Sequence, residues 1–428
     1  MTKDLDYGVV PVPLTDRRDL YSTATVYAGY AATVYLFFVG AVLGTSFTMC
    51  DAILAIVLGN LLLVVIGTLT GYIGCKQGVS TTVLSRATFG YYGQLLTSFL
   101  ISLTIPGFVG AYTATVGLTI HEVIPSIPWY IGSLVFLASI VITSFYGFKG
   151  LARLSWVAVP VLIGLLLYGI SSIGVAGVFS WTPEQPMALL DGISLVFATW
   201  ITGAVLSGGD IGRFTRSPMD VFLGNLTGWF FLGGFITIIS TISAIITGQS
   251  DIGKLFISMD LTLPGLLIMY LLMWTTADNN LYSFSLAWVN MDQVVNKGKP
   301  RLSREQWVIV GAGGVMAIAA LVAKVGILPY VYAFTDIIGV LIPPYGGVLI
   351  ADYLILGKIN MRTESIVSTK RPINYEAFGS LAIGFAMAIF VRVGSPPIQG
   401  FLAALLARVF VSRLGRSAIY KKKTDSGA

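Results

Sequence analysis

Charge is scarce in this chain. Only 11% of its 428 residues are Asp, Glu, Lys or Arg, against roughly 25% in a soluble domain. Apolar residues make up 55%, and mean hydropathy is +0.84. A soluble globular protein is excluded, and a multi-pass membrane protein is implied. Histidine occurs once, at His121, and cysteine twice, at Cys50 and Cys75. The two thiols fall near opposite ends of one apolar run, roughly 35 Å apart at helical rise, so they cannot pair. Without a Cys/His cluster, zinc, haem and iron–sulfur sites have no ligand set. No nucleophile with an acid/base partner can be assembled into an enzyme site. An ATP-binding P-loop, a voltage-sensing arginine ladder and a TVGYG filter are missing too. Secondary transport is the class that survives these absences.

What is present is apolar sequence in runs long enough to cross a bilayer, about 20 residues each. Twelve spans are predicted. They cover 23–44, 52–74, 96–120, 129–146, 155–175, 188–207 and 222–246, then 263–286, 307–325, 330–353, 378–391 and 398–411. Cytoplasmic joints should be rich in Lys and Arg. With both termini inside, all but three of the 26 basic residues fall on the cytoplasmic side, the exceptions being Lys254, Lys324 and Arg392. Adding or removing one span would put basic joints on the wrong side. The net charge of +6 is therefore a topology signal, and no nucleic-acid partner is expected. The segment 1–22 is acidic, contains proline and is not apolar, so it does not read as a cleavable leader. Residues 412–428 form a basic tail.

Two spans carry glycine at mid-depth, where a transporter helix can break to expose backbone to an ion or substrate. Gly29 lies in "TVYAGYAATVY", and Gly203, Gly208 and Gly209 punctuate "ATWITGAVLSGGDIGRF". The two spans are five apart, as an inverted repeat of five helices requires. The eighth span carries "WTTADNN", five polar side chains in seven residues. Small residues in "GAGGVMAIAA", 311–320, read as close helix packing.

The blocks "WTTADNNLYSFSLAWVN", "GGDIGRFTR", "LIPPYGGVLIADYL", "PVPL" and "GYIG" closely resemble those of the cytosine permeases, in the nucleobase:cation symporter-1 family. The resemblance implies an all-α membrane protein of twelve helices with a LeuT-type five-plus-five inverted repeat. Its first repeat would be 23–175 and its second 188–353, with two extra helices and their joint in 354–411. It implies a sodium site made by the carbonyls of Gly29, Ala32 and Leu272 and the hydroxyls of Thr275 and Thr276. It also implies a flat heterocycle clamped by Phe108 and Trp200, with Thr202 beside them. Where cytosine permeases carry amides, this chain has Ile105 and Ala277, and losing hydrogen bonds of about 1 kcal/mol each changes which base fits. Asn279 and Asn280, one helical turn beyond the threonine pair, are candidates to take over the ligand's edge.

Ionisable groups inside spans are functional hypotheses by default. Asp278 points about 160° away from Thr276 on an ideal helix and is expected to brace a neighbour, with a proton-linked role open. Asp210 and Arg213, three apart, read as an inner ion pair or gate. Asp336 reads as an outer gate or a water-interface residue. Pro343, Gly346 and Gly347 are hinge candidates in the tenth span. The expected activity is sodium-coupled uptake of a planar nucleobase by a monomer without cofactors. The alternative is a proton-coupled symporter of a hydroxymethylpyrimidine, allantoin or hydantoin type of heterocycle.

Overall fold

The computed structural model describes residues 7, 10–33, 35–173, 175–248, 262–391 and 394–425. These form a helical bundle with one isolated β-bridge, Arg18 to Thr215. The helices are α1 Leu20–Ala31, α2 Tyr35–Ser46, α3 Met49–Gln77, α4 Thr81–Phe89, α5 Leu95–Val123, α6 Trp129–Phe145 and α7 Gly147–Ile173. Next come α8 Leu189–Thr202, α9 Gly208–Gly212, α10 Pro218–Asn225 and α11 Gly234–Thr247. The last are α12 Thr262–Val295, α13 Arg304–Val325, α14 Ile327–Ile350, α15 Thr363–Val367, α16 Tyr375–Phe390 and α17 Pro396–Asp425. π-Helical turns at Gly203–Ser207 and Leu226–Gly233 join α8 to α9 and α10 to α11, and a third follows α14 at Ala351–Ile355. Among the described residues, seven helices are long and apolar enough to cross a membrane, or eight if α1 and α2 count as one span bent by 59°. Lys3, Lys254 and Arg392 of the charge argument lie outside the described residues.

Local sequence explains the helix ends. The Thr48 side chain accepts the Asp51 N–H at the start of α3, and Gly78, at φ 69°, closes its C-terminus. Ser303 and Gln306 form a capping box at the head of α13. The joint between the second and third predicted spans holds α4, which is buried except at Ala87. Its Arg86 is 3% exposed and, among the described residues, bonds neutral groups: Gln94 Oε1 at 2.7 Å, Val367 O at 3.0 Å, Gln293 Oε1 at 3.1 Å and Asn290 Oδ1.

Glycine sets the crossing of α3 on α9. A Cβ at Gly74 would lie 2.7 Å from the Gly209 Cα, so only glycine permits this approach. That is what Gly209 does, in place of breaking the helix. The expected interruption near Gly208 is absent, since α9 runs unbroken through Gly208–Gly212 and the irregularity is the wider turn before it. The "GAGG" reading needs correction in part. Gly311 packs on Phe284, but Gly313 and Gly314 face open space.

Two more expectations change. The first helix breaks at Ala32, not at Gly29, which stays inside α1 and gives up its side chain to Ser155. The tenth span runs as helix straight through Pro343 and Pro344. Gly346 is packed on Val205 and Gly347 on the Phe401 carbonyl, so these glycines make contacts in the place of a visible hinge. Just beyond, Asp352 is fully buried and takes Arg408 Nε at 2.7 Å as well as Lys358 Nζ, and Arg408 Nη1 reaches Glu376 at 3.1 Å. Burial pulls the Lys358 ammonium below the usual lysine range, and Asp352 beside it pushes it back up. This network fastens the end of α14 to α16 and α17.

Candidate functional site

The break in the first helix exposes backbone. The last bond of α1 runs from the Ala32 N–H to Ala28 O at 3.0 Å. Beyond it the terminal carbonyls have no helical partner of their own. The Thr276 hydroxyl of α12 sits among them, 2.6 Å from Ala32 O, 3.3 Å from Tyr30 O and 3.1 Å from Leu272 O on its own helix. Thr275 turns its hydroxyl back to Leu271 O at 2.9 Å, while a Cβ at Gly29 would be 3.6 Å from the Thr275 Cβ. One hydroxyl proton cannot satisfy both carbonyls at the end of α1, those of Tyr30 and Ala32. This set of neutral oxygens has the chemistry of a site for a hard monovalent cation.

Aromatic rings lie on either side of the same break. Before it, Tyr30 packs on Trp200 at 5.5 Å and on Trp229 at 5.8 Å between centroids, and Trp200 meets Trp229 at 5.0 Å. After it, Tyr35 packs on Phe108 at 5.1 Å, and Phe108 meets Phe334 edge-on at 5.0 Å. The two rings expected to form a clamp, Phe108 and Trp200, thus belong to separate clusters with the break of the first helix between them. Each ring is 5% exposed. Ile105 and Ala277 are fully buried and apolar.

A buried polar atom without a partner calls for an explanation, and several stand close to the break. Among the described residues these include both amide atoms of Asn279, Trp200 Nε1 and Thr202 Oγ1. Asn280 is differently employed, since its Oδ1 accepts the Tyr30 hydroxyl at 2.9 Å. Asp278 faces α6. Its backbone carbonyl accepts the Ser144 hydroxyl at 3.3 Å, and its Oδ2 has no partner.

Asp210 and Arg213 turn to different neighbours. The Asp210 carboxylate accepts the Thr81 N–H at 2.8 Å, whereas Arg213 donates to the Tyr7 carbonyl at 2.7 Å and the Tyr282 hydroxyl at 2.8 Å. Asp336 is exposed and lines a cavity of about 640 Å³ together with Asp191, Ser194 and Thr335. A second, smaller pocket of about 60 Å³ shares Thr335 and Asp336 with it and is lined by Tyr35 and Phe38. Sequence reasoning missed Tyr30, Tyr35, Trp229 and the buried Arg86. Two tyrosines flanking the small residues of "AGYAATVY" were the available signal for the first pair.

A helical bundle broken in its first span, with carbonyl and hydroxyl oxygens and aromatic rings at the break, has the architecture of a membrane transporter. Residues 11–411 match the family model described as permease for cytosine/purines, uracil, thiamine, allantoin, and the chain belongs to that family. It is 28% identical over 421 residues to the cytosine permease of Escherichia coli K12, covering 96% of this chain and 95% of that one. It is 22% identical to the hydantoin permease of Microbacterium maritypicum, covering 91% and 84%. The fold matches Mhp1, a nucleobase-cation-symport-1 family transporter, closed with bromovinylhydantoin bound, at a TM-score of 0.83, with 20% identity and 96% of each chain covered. A sodium-coupled sialic acid symporter matches at 0.69, with 17% identity, covering 96% of this chain and 92% of that one.

Proposed function

We propose that this permease carries a planar nucleobase or related heterocycle into the cell together with sodium, by alternating access. The bundle is read as twelve spans in two inverted repeats plus two C-terminal helices, working as a monomer with both termini cytoplasmic. The observation that carries the reading is the Thr276 hydroxyl held between the Ala32 and Leu272 carbonyls, 2.6 and 3.1 Å away, across a helix break. A cation shared by these oxygens ties α1 to α12 more firmly than the single Thr276 to Ala32 hydrogen bond does, which couples ion binding to a formed substrate site. Gly29 O and the Thr275 hydroxyl complete the proposed ligand set.

The ring of the substrate stacks between Phe108 and Trp200, and the unpaired atoms of Asn279, Trp200 and Thr202 meet its polar edge. Stacking accepts any flat ring, while buried edge groups reject rings that leave them unpaired. Ile105 and Ala277 offer that edge no hydrogen bond. Asn280 contributes through Tyr30. Asp336 stands at the outer approach, with α14 and its Pro343, Gly346 and Gly347 as the outer gate, and Asp210 and Arg213 belong to the inner gate.

Uptake of radiolabelled cytosine, hypoxanthine and hydantoin into proteoliposomes, in sodium or in choline at fixed pH, tests the reading. At least one compound is expected to enter only with sodium. Thr276→Ala is expected to raise the sodium concentration for half-maximal uptake about tenfold, the equivalent of roughly 1.4 kcal/mol. Undiminished uptake in choline, driven by an inward proton gradient, would return the proton-coupled reading. The unpartnered carboxylate oxygen of Asp278 is the observation that favours that second reading.

A further inference from the structure

One residue links the break of the first helix to the ring of Trp200. Tyr30 occupies the last turn of α1, two residues before the chain breaks, and is 1% exposed. Its carbonyl lies 3.3 Å from the Thr276 hydroxyl. Its ring meets the edges of Trp200 and Trp229. Its hydroxyl donates to Asn280 Oδ1 and exchanges a hydrogen bond with Ser207 Oγ, both at 2.9 Å. Ser207 is the last residue of the π-helical turn between α8 and α9. A Cβ at Gly203, the first residue of that turn, would fall 3.2 Å from the Tyr30 ring. The glycine therefore admits the ring to the irregular part of the helix that carries Trp200.

We propose that Tyr30 is the positioning residue that transmits cation binding to the aromatic clamp. The inference rests on the sodium reading above. A cation held by Thr276 and the Ala32 carbonyl fixes the final turn of α1. The same turn sets the Tyr30 ring against Trp200, and the hydroxyl pins that ring between α12 and the π-helical turn. Asn280 is four residues beyond Thr276 on α12, on the same face one turn away. The ion site and the Tyr30 hydroxyl are thus linked along two elements, and a ligand's edge contacts inherit the geometry. Without the hydroxyl, the ring still fills its space but is no longer held to α12.

The test uses the full-length protein in detergent, with sodium titrated against choline at constant ionic strength. Tryptophan emission is the readout, and subtraction of Trp200→Phe isolates the share from Trp200. Thermal shift reports sodium binding separately. Wild type is expected to change its Trp200 emission on saturation with sodium. Tyr30→Phe is expected to keep a sodium-induced thermal shift while its Trp200 response falls about fivefold or more, the lower range of a typical coupling between sites. Tyr30→Leu, which also removes the ring, should lose that response completely. Equal Trp200 responses in wild type and Tyr30→Phe overturn the proposal. So does a Tyr30→Phe protein with no sodium-induced thermal shift, because the hydroxyl would then serve the ion site itself. No sodium response of either kind in wild type overturns instead the sodium reading beneath it.

Discussion

Asn279 is the residue whose environment makes least sense without a ligand. It is 1% exposed, and neither amide atom has a partner among the described residues. A buried polar group left unpaired costs about 1–3 kcal/mol, whereas an apolar side chain of similar shape in its place is neutral or stabilising. Asn279→Leu is therefore expected to raise the melting temperature of the ligand-free protein, by an amount equivalent to about 1 kcal/mol. It should also remove the stabilisation given to wild type by whichever base in a panel binds, a gain that grows with ligand concentration. Thermal unfolding with and without cytosine, hypoxanthine and hydantoin reads both effects. A destabilised Asn279→Leu protein that still responds to the same base would make Asn279 a packing residue. Asn280 should behave in the opposite way, because its oxygen already accepts the Tyr30 hydroxyl.

At the scale of elements, glycines divide into those that bring backbones together and those that do not. Gly74→Ala puts a methyl 2.7 Å from the Gly209 Cα, and backbone cannot yield as a flexible side chain can. Overpacking of this kind costs about 1–3 kcal/mol. A Cβ at Gly313 meets nothing within 4 Å, and alanine there removes a helix penalty of up to ~1 kcal/mol. Unfolding midpoints should fall for Gly74→Ala and hold or rise for Gly313→Ala, and the reverse order would show that α3 and α9 can separate freely. Sequence could not sort these glycines, because composition reveals mobility but not what stands opposite. The apolar runs were legible for a simpler reason, since a lipid-facing helix must be apolar along its length. The helix break was legible as a region yet misplaced by three residues, from Gly29 to Ala32. Gly29 signals a close neighbour, Ser155, which lies more than a hundred positions away in the chain. The buried α4 and Arg86 escaped notice because a polar helix held by neutral acceptors looks like a loop until Gln94 before α5, Asn290 and Gln293 of α12 and Val367 of α15 are in view. The threonine pair and Asn279 stood out because polar groups are costly at that depth.

At the scale of the whole molecule, the two ends of the bundle differ. The cavity beside Asp336 adjoins a smaller pocket lined by Tyr35, while the opposite end is strapped by residues 10–19. The Val12 N–H bonds Gly78 O at 2.8 Å, the Arg18 N–H bonds Phe214 O at 2.6 Å, and the Arg216 N–H bonds Arg18 O at 3.2 Å. Arg17 reaches beneath this strap and donates to the Cys75 carbonyl at 2.6 Å. Cys75 itself is 3% exposed, with its Sγ 3.4 Å from Thr215 O. Any opening that separates α3 from α9 and the strap must uncover this thiol, so the chain carries its own reporter of access. Cys50, which is exposed, has to be replaced by serine first. In that background Cys75 is expected to react slowly with a small alkylating reagent. Arg17→Ala removes a charged hydrogen bond of about 1.5–3 kcal/mol, so the open fraction, and with it the alkylation rate, should rise about tenfold or more. Lys324→Ala, at the other end of the bundle, should leave the rate unchanged. An equal rate in the Arg17→Ala protein would mean that the strap rides with α3 and α9 as one body, and that this end of the bundle opens along a different seam.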